Sequence, residues 1–223
     1  MRSAIPEQAF SPTVFLAQSG FGRTLEHLRP DEVFFRQGNQ ADSTYYLHSG
    51  RAKLSVVAPS GRQATIMLLY PKDFVGEESS ASPEGLRAAT ATALTACTVL
   101  RIDRPAMHKV LREQTKFGVV FTDFLVARGA RVQADLADRL LHTSEFRLAR
   151  VLLRMANEMP EPGCFERIPP VTQEALADIV GTTRSRVSFF MNRFRDQGMI
   201  EYDGRIRVHP AQLREFLHEG GRA

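Results

Sequence analysis

The chain has 223 residues, 29 Lys or Arg against 25 Asp or Glu, a formal net charge of +4 and 43% apolar side chains, which suits one large soluble domain or two smaller ones. No apolar run approaches the ~20 residues of a membrane helix, and the opening "MRSAIPEQAF" lacks the apolar stretch of a signal peptide. Two cysteines far apart, Cys97 and Cys164, fit small buried fillers in a reducing, cytoplasmic setting and exclude a disulfide framework or a four-thiolate iron–sulfur cluster.

Residues 14–28 read as a short helical lead-in. From about 31 to 103 the chain breaks into short β-rich runs, "EVFFRQG", "STYYLHSGRAKLSVVAPSGRQATIMLLYPKDFVG" and "RAATATALTACTVLRID", punctuated by Gly38, Gly50, Gly61 and Gly76. "APSGRQ" has the composition of a hairpin turn between "AKLSVV" and "ATIMLL". Many short strands at this spacing predict a sandwich or a jelly-roll barrel.

Within that region "DFVGEESSASPEGLRAAT" places Arg87 ten residues after Glu77, which follows Gly76. A guanidinium offers forked donors to a phosphate, a carboxylate accepts from a hydroxyl, and glycine lets a backbone come close. The same residues can instead form a Glu77–Arg87 salt bridge that stabilises an empty barrel.

At Asp103 the texture turns helical. "DRPAMHKVLREQ" has an acidic cap candidate and a proline in the first turn. In "KFGVVFTDFLVARGARVQADLADRLLHT", apolar residues recur at Phe117, Phe121, Phe124, Leu125, Val132, Leu136 and Leu140, mostly three or four apart. At about 1.5 Å per residue this helix spans roughly 40 Å. It either packs on its own domain or forms a seam with the same helix of a second subunit. "SEFRLARVLLRMANEM" is a further amphipathic helix with Ser144 as its candidate cap, and "PEPGCFERIPPV" reads as a linker.

"VTQEALADIVGTTRSRVSFFMNRFRDQGMI" reads as helix, turn, helix: Thr172 caps the first, Gly181 makes the turn, and Thr182 or Thr183 caps the second, which stops at Gly198. On a helical wheel Val187, Phe190, Met191 and Phe194 form an apolar back. Arg184, Ser185, Ser188, Phe189, Asn192 and Arg193 lie at the front or flanks, the division a DNA-recognition helix needs. "GMIEYDGRIRVHP" then predicts a hairpin about a two-residue Asp203-Gly204 turn, a wing on which Arg205 and Arg207 can touch phosphate. Residues 181–209 carry six arginines against three acids, while residues 1–103 balance ten against ten, so the basic excess sits with this motif.

Enzyme signatures are missing. A metal-dependent jelly roll wants a close His-x-His and a carboxylate, and the barrel segment has only His48. No Gly-x-Ser-x-Gly, Walker-type phosphate loop or His-Glu-x-x-His occurs.

On "FRQG", "YYLHSGRAKL", "KDFVGEE" and "LADIVGTTRSRVSFFMNRFRDQGMI" with its following wing, the chain over roughly residues 14–217 resembles the CRP/FNR family of bacterial transcription regulators. The resemblance implies an α+β fold: a cyclic-nucleotide-binding-like β jelly roll over residues 14–115, a dimerisation helix over 116–142 and a winged helix-turn-helix over 143–217. It implies a homodimer on a pseudo-palindromic double-stranded DNA site, acting on transcription with RNA polymerase as a partner and no membrane. Positions matching Arg184, Ser185 and Phe189 approach base pairs in the family, and Arg184 fits a bidentate contact to guanine. Family members often have glutamate at Ser185, and some have arginine at Phe189, so the half-site does not transfer. Phe189 either touches a thymine methyl or packs against the wing. Arg186 and Ser188 are phosphate candidates, with Thr172, Arg193 and Arg205. The implied effector is a cyclic nucleotide or cyclic dinucleotide, with Gly76, Glu77, Arg87 and Ala88 as its site: Glu77 on the ribose hydroxyl and Arg87 on the phosphate. Two departures argue against plain cAMP use. Ala88 stands where a serine or threonine is common, and Val132 and Gln133 stand where cAMP-responsive members carry a Thr-Ser pair for the base.

Overall fold

The computed structural model describes residues 22–80, 85–156 and 165–219. The chain divides into two compact units: one holds residues up to Lys53 with Leu68–Ala130, the other Leu54–Met67 with residues from Arg131 onward. Among the described residues no helix is long and apolar enough to cross a membrane.

The β domain is a jelly roll of two four-stranded sheets. Strands β1 (Arg23–Leu28), β8 (Cys97–Asp103), β3 (Ser43–Ser49) and β6 (Phe74–Val75) form one sheet in the order β1-β8-β3-β6. The other runs β2-β7-β4-β5, from β2 (Val33–Phe35), β7 (Thr90–Ala93), β4 (Ala52–Val57) and β5 (Gln63–Leu69). The segment expected as a helical lead-in is a strand over its described part. Arg23 through Leu28 pair antiparallel with Ile102 through Cys97, and a full backbone ladder outweighs the weak helix propensity of "RTLEHL". Residues 14–21 lie outside those described. The "APSGRQ" hairpin forms as expected between β4 and β5, closed by Ala58 N–H to Arg62 O at 2.9 Å. Cys97 is a buried filler; Cys164 lies outside the described residues.

Helix α1 (Arg104–Glu113) has Pro105 in its first turn and Asp103 as N-cap residue, without a side-chain cap bond. Helix α2 (Thr115–Leu141) follows without a proline break. Its start is buried against the barrel. Phe117, Phe121 and Phe124 surround Phe74 at ring-centroid distances of 6.0, 5.2 and 5.2 Å, and Tyr46 closes the far side at 4.9 Å. Residues 117, 121, 124 and 128 share one helical face, so Arg128 continues that stripe as its polar end. Its Nη1 donates to Phe74 O at 2.8 Å and its Nε pairs with Glu77 Oε1 at 3.1 Å.

The apolar stripe read from the sequence as one seam is therefore two. The phenylalanines face the barrel core, whereas Leu125, Val132, Leu136 and Leu140 stay exposed, joined by Val119 and Val126. Spacings of three and four residues occur within each stripe and also between them, so periodicity alone merges the two.

The second unit is mostly helical: α3 (Ser144–Met155), α4 (Gln173–Val180), α5 (Arg184–Asp196) and α6 (Pro210–Glu219), with a small sheet of β9 (Glu166–Arg167), β10 (Ile200–Tyr202) and β11 (Ile206–Val208) in the order β10-β11-β9. Thr143 caps α3, accepting from Phe146 N–H, one residue before the expected Ser144. Strand β9 (Glu166–Arg167) arises from the stretch expected as a linker and pairs with β11 (Ile206–Val208). Arg154 and Arg150 of α3 ion-pair with Asp135 and Asp138 near the end of α2, the first at 2.8 Å. Arg147 donates to His142 O at 2.9 Å and to Val180 O at 3.1 Å, so one guanidinium ties the α2–α3 joint to the end of α4.

Two outcomes are expected. Phe74→Ala removes the ring at the centre of four aromatic contacts and should cost about 3–5 kcal/mol, read as a lowered urea midpoint. Glu77 is half-buried, and that burial raises its pKa above the ordinary 4.5 against the opposing charge of Arg128. The raised value makes Glu77's contribution to stability fully present below about 4.5 and lost as pH climbs through the folded value. Urea midpoints taken from pH 4 to 7 should therefore show the wild type losing ground to Glu77→Gln as pH rises.

Candidate functional site

The helix-turn-helix is built by its caps. Thr172 Oγ1 accepts from Ala175 N–H at 3.1 Å, and Gly181, at φ 72°, sends its N–H back to Ala177 O at 2.8 Å. This is the left-handed position that only glycine takes without strain. Thr183, not Thr182, caps α5, accepting from Arg186 N–H at 3.3 Å. Val187, Met191 and Phe194 are buried, and Phe190 is half-buried beside them. Arg184, Ser185, Arg186, Phe189, Asn192 and Arg193 are exposed, and Ser188 is half-buried.

The front residues differ in how free they are. Arg184 Nε lies 2.9 Å from Glu174 Oε1 of α4. Ser185 shares a hydroxyl contact of 3.1 Å with the capping Thr183. Arg193 is paired with Glu145 of α3 at 3.2 Å, and the Thr172 hydroxyl is engaged in its own cap. Phe189 is 63% exposed and its ring meets Phe190 edge-on at 5.7 Å. Of the two fates left open for Phe189, burial against the wing is not the one adopted.

The wing is β10 (Ile200–Tyr202) and β11, registered Ile200 to Val208 and Tyr202 to Ile206. This leaves three residues in the loop, Asp203, Gly204 and Arg205, where the Asp-Gly pair suggested two. Asp203 N–H bonds Arg205 O at 3.0 Å and Gly204 takes φ 64°, so the extra residue is absorbed at a left-handed glycine. Arg205 is exposed, with no ion pair among the described residues. Arg207 is held by Glu201 at 2.6 Å and lies over the Phe165 ring.

In the barrel, Gly76 at φ 79° turns the chain from β6 into a short 3-10 turn, Glu77–Ser80. Arg87 is 2% exposed, the largest fully buried side chain. Its Nη1 donates to Gly76 O at 3.1 Å, and its Nη2 to Ser43 O at 2.6 Å and Ser43 Oγ at 3.1 Å. Glu78 and Asp42 flank it at 3.4 and 3.6 Å, and the Phe35 ring lies 4.2 Å below. A Cβ on Gly76 would collide with Arg87 Nη1, which is why glycine is required there.

The Glu77–Arg87 salt bridge, one of the two readings left open by the sequence, does not form. The Arg87 guanidinium is drawn to peptide carbonyls on its own side of the turn, while Glu77 turns to Arg128 on α2. Gly76, Glu77 and Arg87 are neighbours, but Ala88 is exposed where Arg87 is buried. Arg128, Ser43 and Glu174 were not singled out in the sequence. Arg128 alone had a signal, its place on the helical face of the three phenylalanines.

Arg87 Nε and Glu77 Oε2 are among the buried side-chain atoms without a hydrogen-bond partner among the described residues. One is a donor and the other an acceptor. No group of three or more His, Cys, Asp or Glu that could hold a metal occurs among the described residues.

Residues 25–114 match the cyclic nucleotide-binding domain family, and residues 146–216 match the Crp-like helix-turn-helix domain family. The chain is 29% identical over 173 residues, 77% of each chain, to the CRP-like cAMP-activated global transcriptional regulator of Mycobacterium tuberculosis H37Rv. It is 25% identical over 191 residues to the anaerobic regulatory protein of Bacillus subtilis, covering 83% of this chain and 80% of that one. Its fold matches FixK2 from Bradyrhizobium japonicum with a TM-score of 0.72 at 19% identity, over 86% of this chain and 96% of that one. It also matches the c-di-GMP-responsive regulator CLP of Xanthomonas campestris with a TM-score of 0.69 at 18% identity, over 88% and 97%. The Mycobacterium tuberculosis relative bears the name of a transcriptional regulator and the Bacillus subtilis relative that of a regulatory protein. With a cyclic nucleotide-binding domain followed by a Crp-like helix-turn-helix, the chain belongs to the CRP/FNR family of transcription regulators.

Proposed function

We propose that the protein is a homodimeric, sequence-specific DNA-binding regulator that reads a pseudo-palindromic duplex with α5 and acts on transcription through RNA polymerase. The observation that carries this reading is α5 itself: a helix capped at Thr183, with Val187, Met191 and Phe194 buried behind and Arg184, Ser185, Arg186 and Phe189 exposed in front. Arg184 is assigned to a guanine edge, and Ser185 and Phe189 to neighbouring base pairs. Arg186, Ser188, Thr172, Arg193 and Arg205 are assigned to phosphates. The exposed stripe Val119, Leu125, Val126, Val132, Leu136 and Leu140 supports pairing of α2 with its counterpart in a second copy.

The barrel, in the same proposal, takes a small effector of the cyclic nucleotide or cyclic dinucleotide class. Arg87 Nε would meet a phosphate oxygen and Glu77 Oε2 a sugar hydroxyl, both buried and without a protein partner. When bound, the effector supplies the differential contacts that shift the balance between two placements of the recognition helices. A second reading rests on Arg87's other bonds. With Nη1 and Nη2 already held by Gly76 and Ser43, the guanidinium is a strut that keeps the turn closed in a regulator needing no effector.

Binding to duplexes enriched from a random pool tests the DNA reading. Arg184→Ala should weaken the enriched site about 10- to 100-fold and flatten base preference. Arg205→Ala should weaken every duplex alike and lower the salt slope by about one. A wild-type protein that enriches no site sinks this reading. Titration calorimetry with cAMP, cGMP and cyclic di-GMP separates the two barrel readings. Heat from one of them, weakened at least about tenfold in Arg87→Ala and in Glu77→Gln, supports the effector. No heat from any of them on folded wild type leaves Arg87 as the strut.

A further inference from the structure

We propose that Glu174 is a specificity-determining residue that aims Arg184 at a base, a role that rests on the DNA-reading function assigned to α5. Glu174 is the second residue of α4 and Arg184 the first of α5, so the pair bridges the two helices of the motif at the edge they present together. The contact is side-on: Arg184 Nε lies 2.9 Å from Glu174 Oε1. Among the described residues, no other partner holds this guanidinium. Its Nη1 and Nη2 are left as an open fork, the end that fits the O6 and N7 of guanine.

Stability does not account for this pair. Both side chains are more than half exposed, at 69% and 60%, and exposed ion pairs contribute little. Arg184 also stands in the first turn of α5, where the helix dipole disfavours a cation. A free arginine there would sample many rotamers and would find the nearest backbone phosphate as readily as a base. Glu174 acts against both alternatives. It fixes the guanidinium through Nε before docking, which lowers the ordering cost of the base contact. Its negative charge repels the phosphate track, which penalises every sequence except one that rewards the fork. On docking, water leaves the pair and the contact strengthens.

The test uses the full chain and the duplex enriched by the wild type, with each guanine replaced in turn. Arg184→Ala identifies the position that Arg184 reads. Glu174→Gln keeps shape and removes charge. It should bind non-specific duplex a few-fold more tightly and lose about tenfold of the discrimination at that one position. Glu174→Ala should lose at least as much. Unchanged melting temperatures, expected for two exposed residues, keep the comparison clean. If Glu174→Gln tightens all duplexes by one common factor and keeps its base preference, Glu174 is only a repulsive charge and the inference is overturned. If wild type enriches no site, or Arg184→Ala keeps every preference, the base-reading role of α5 fails first and takes this inference with it.

Discussion

One face of helix α2 grips one turn of the barrel, and much of the first unit hangs on that grip. Three phenylalanines close around Phe74, and the next residue on the same face, Arg128, takes the Phe74 carbonyl and the Glu77 carboxylate. The apolar part supplies the burial energy. The charged part sets where Glu77 points, and so leaves Arg87 to its own carbonyls. Carboxylate and guanidinium side chains close together would otherwise have paired, as the sequence suggested. The helix that carries the exposed apolar stripe is also the helix that fixes the Glu77 carboxylate.

The elements with strong local codes were legible from the chain alone. Gly181 and the threonine caps marked the helix-turn-helix, and the "APSGRQ" turn marked its hairpin. The spacing of many short β-rich runs, punctuated by glycines, marked the barrel. What the sequence left hidden depended on long-range partners. Residues 23–28 became a strand because β8 offered a ladder, and β9 formed because β11 had an open edge. The merged apolar stripe on α2 could be divided only by what Phe74 did in space. That Gly76, Glu77 and Arg87 lie together around one turn was legible, but their pairing was not. Which acid meets which base is decided by backbone carbonyls that no side-chain pattern displays.

The second unit repeats the same economy of arginines. Arg150 and Arg154 latch α3 to the end of α2, and Arg147 reaches from that joint to the last carbonyl of α4. The DNA-facing motif is thus referenced to the end of the long helix by polar contacts with defined geometry, which can exist in one arrangement or be broken, and not by an adaptable apolar surface. Such contacts suit a joint with discrete positions.

Gly76 and Arg87 are bound together. A side chain at position 76 strikes the guanidinium and strains a backbone at φ 79°. Loss of the guanidinium takes away the donors that the Gly76 carbonyl and the Ser43 carbonyl and hydroxyl share with it in the interior. A change at either position alone therefore costs the turn its fit, and the two residues constrain each other through the geometry of the turn itself.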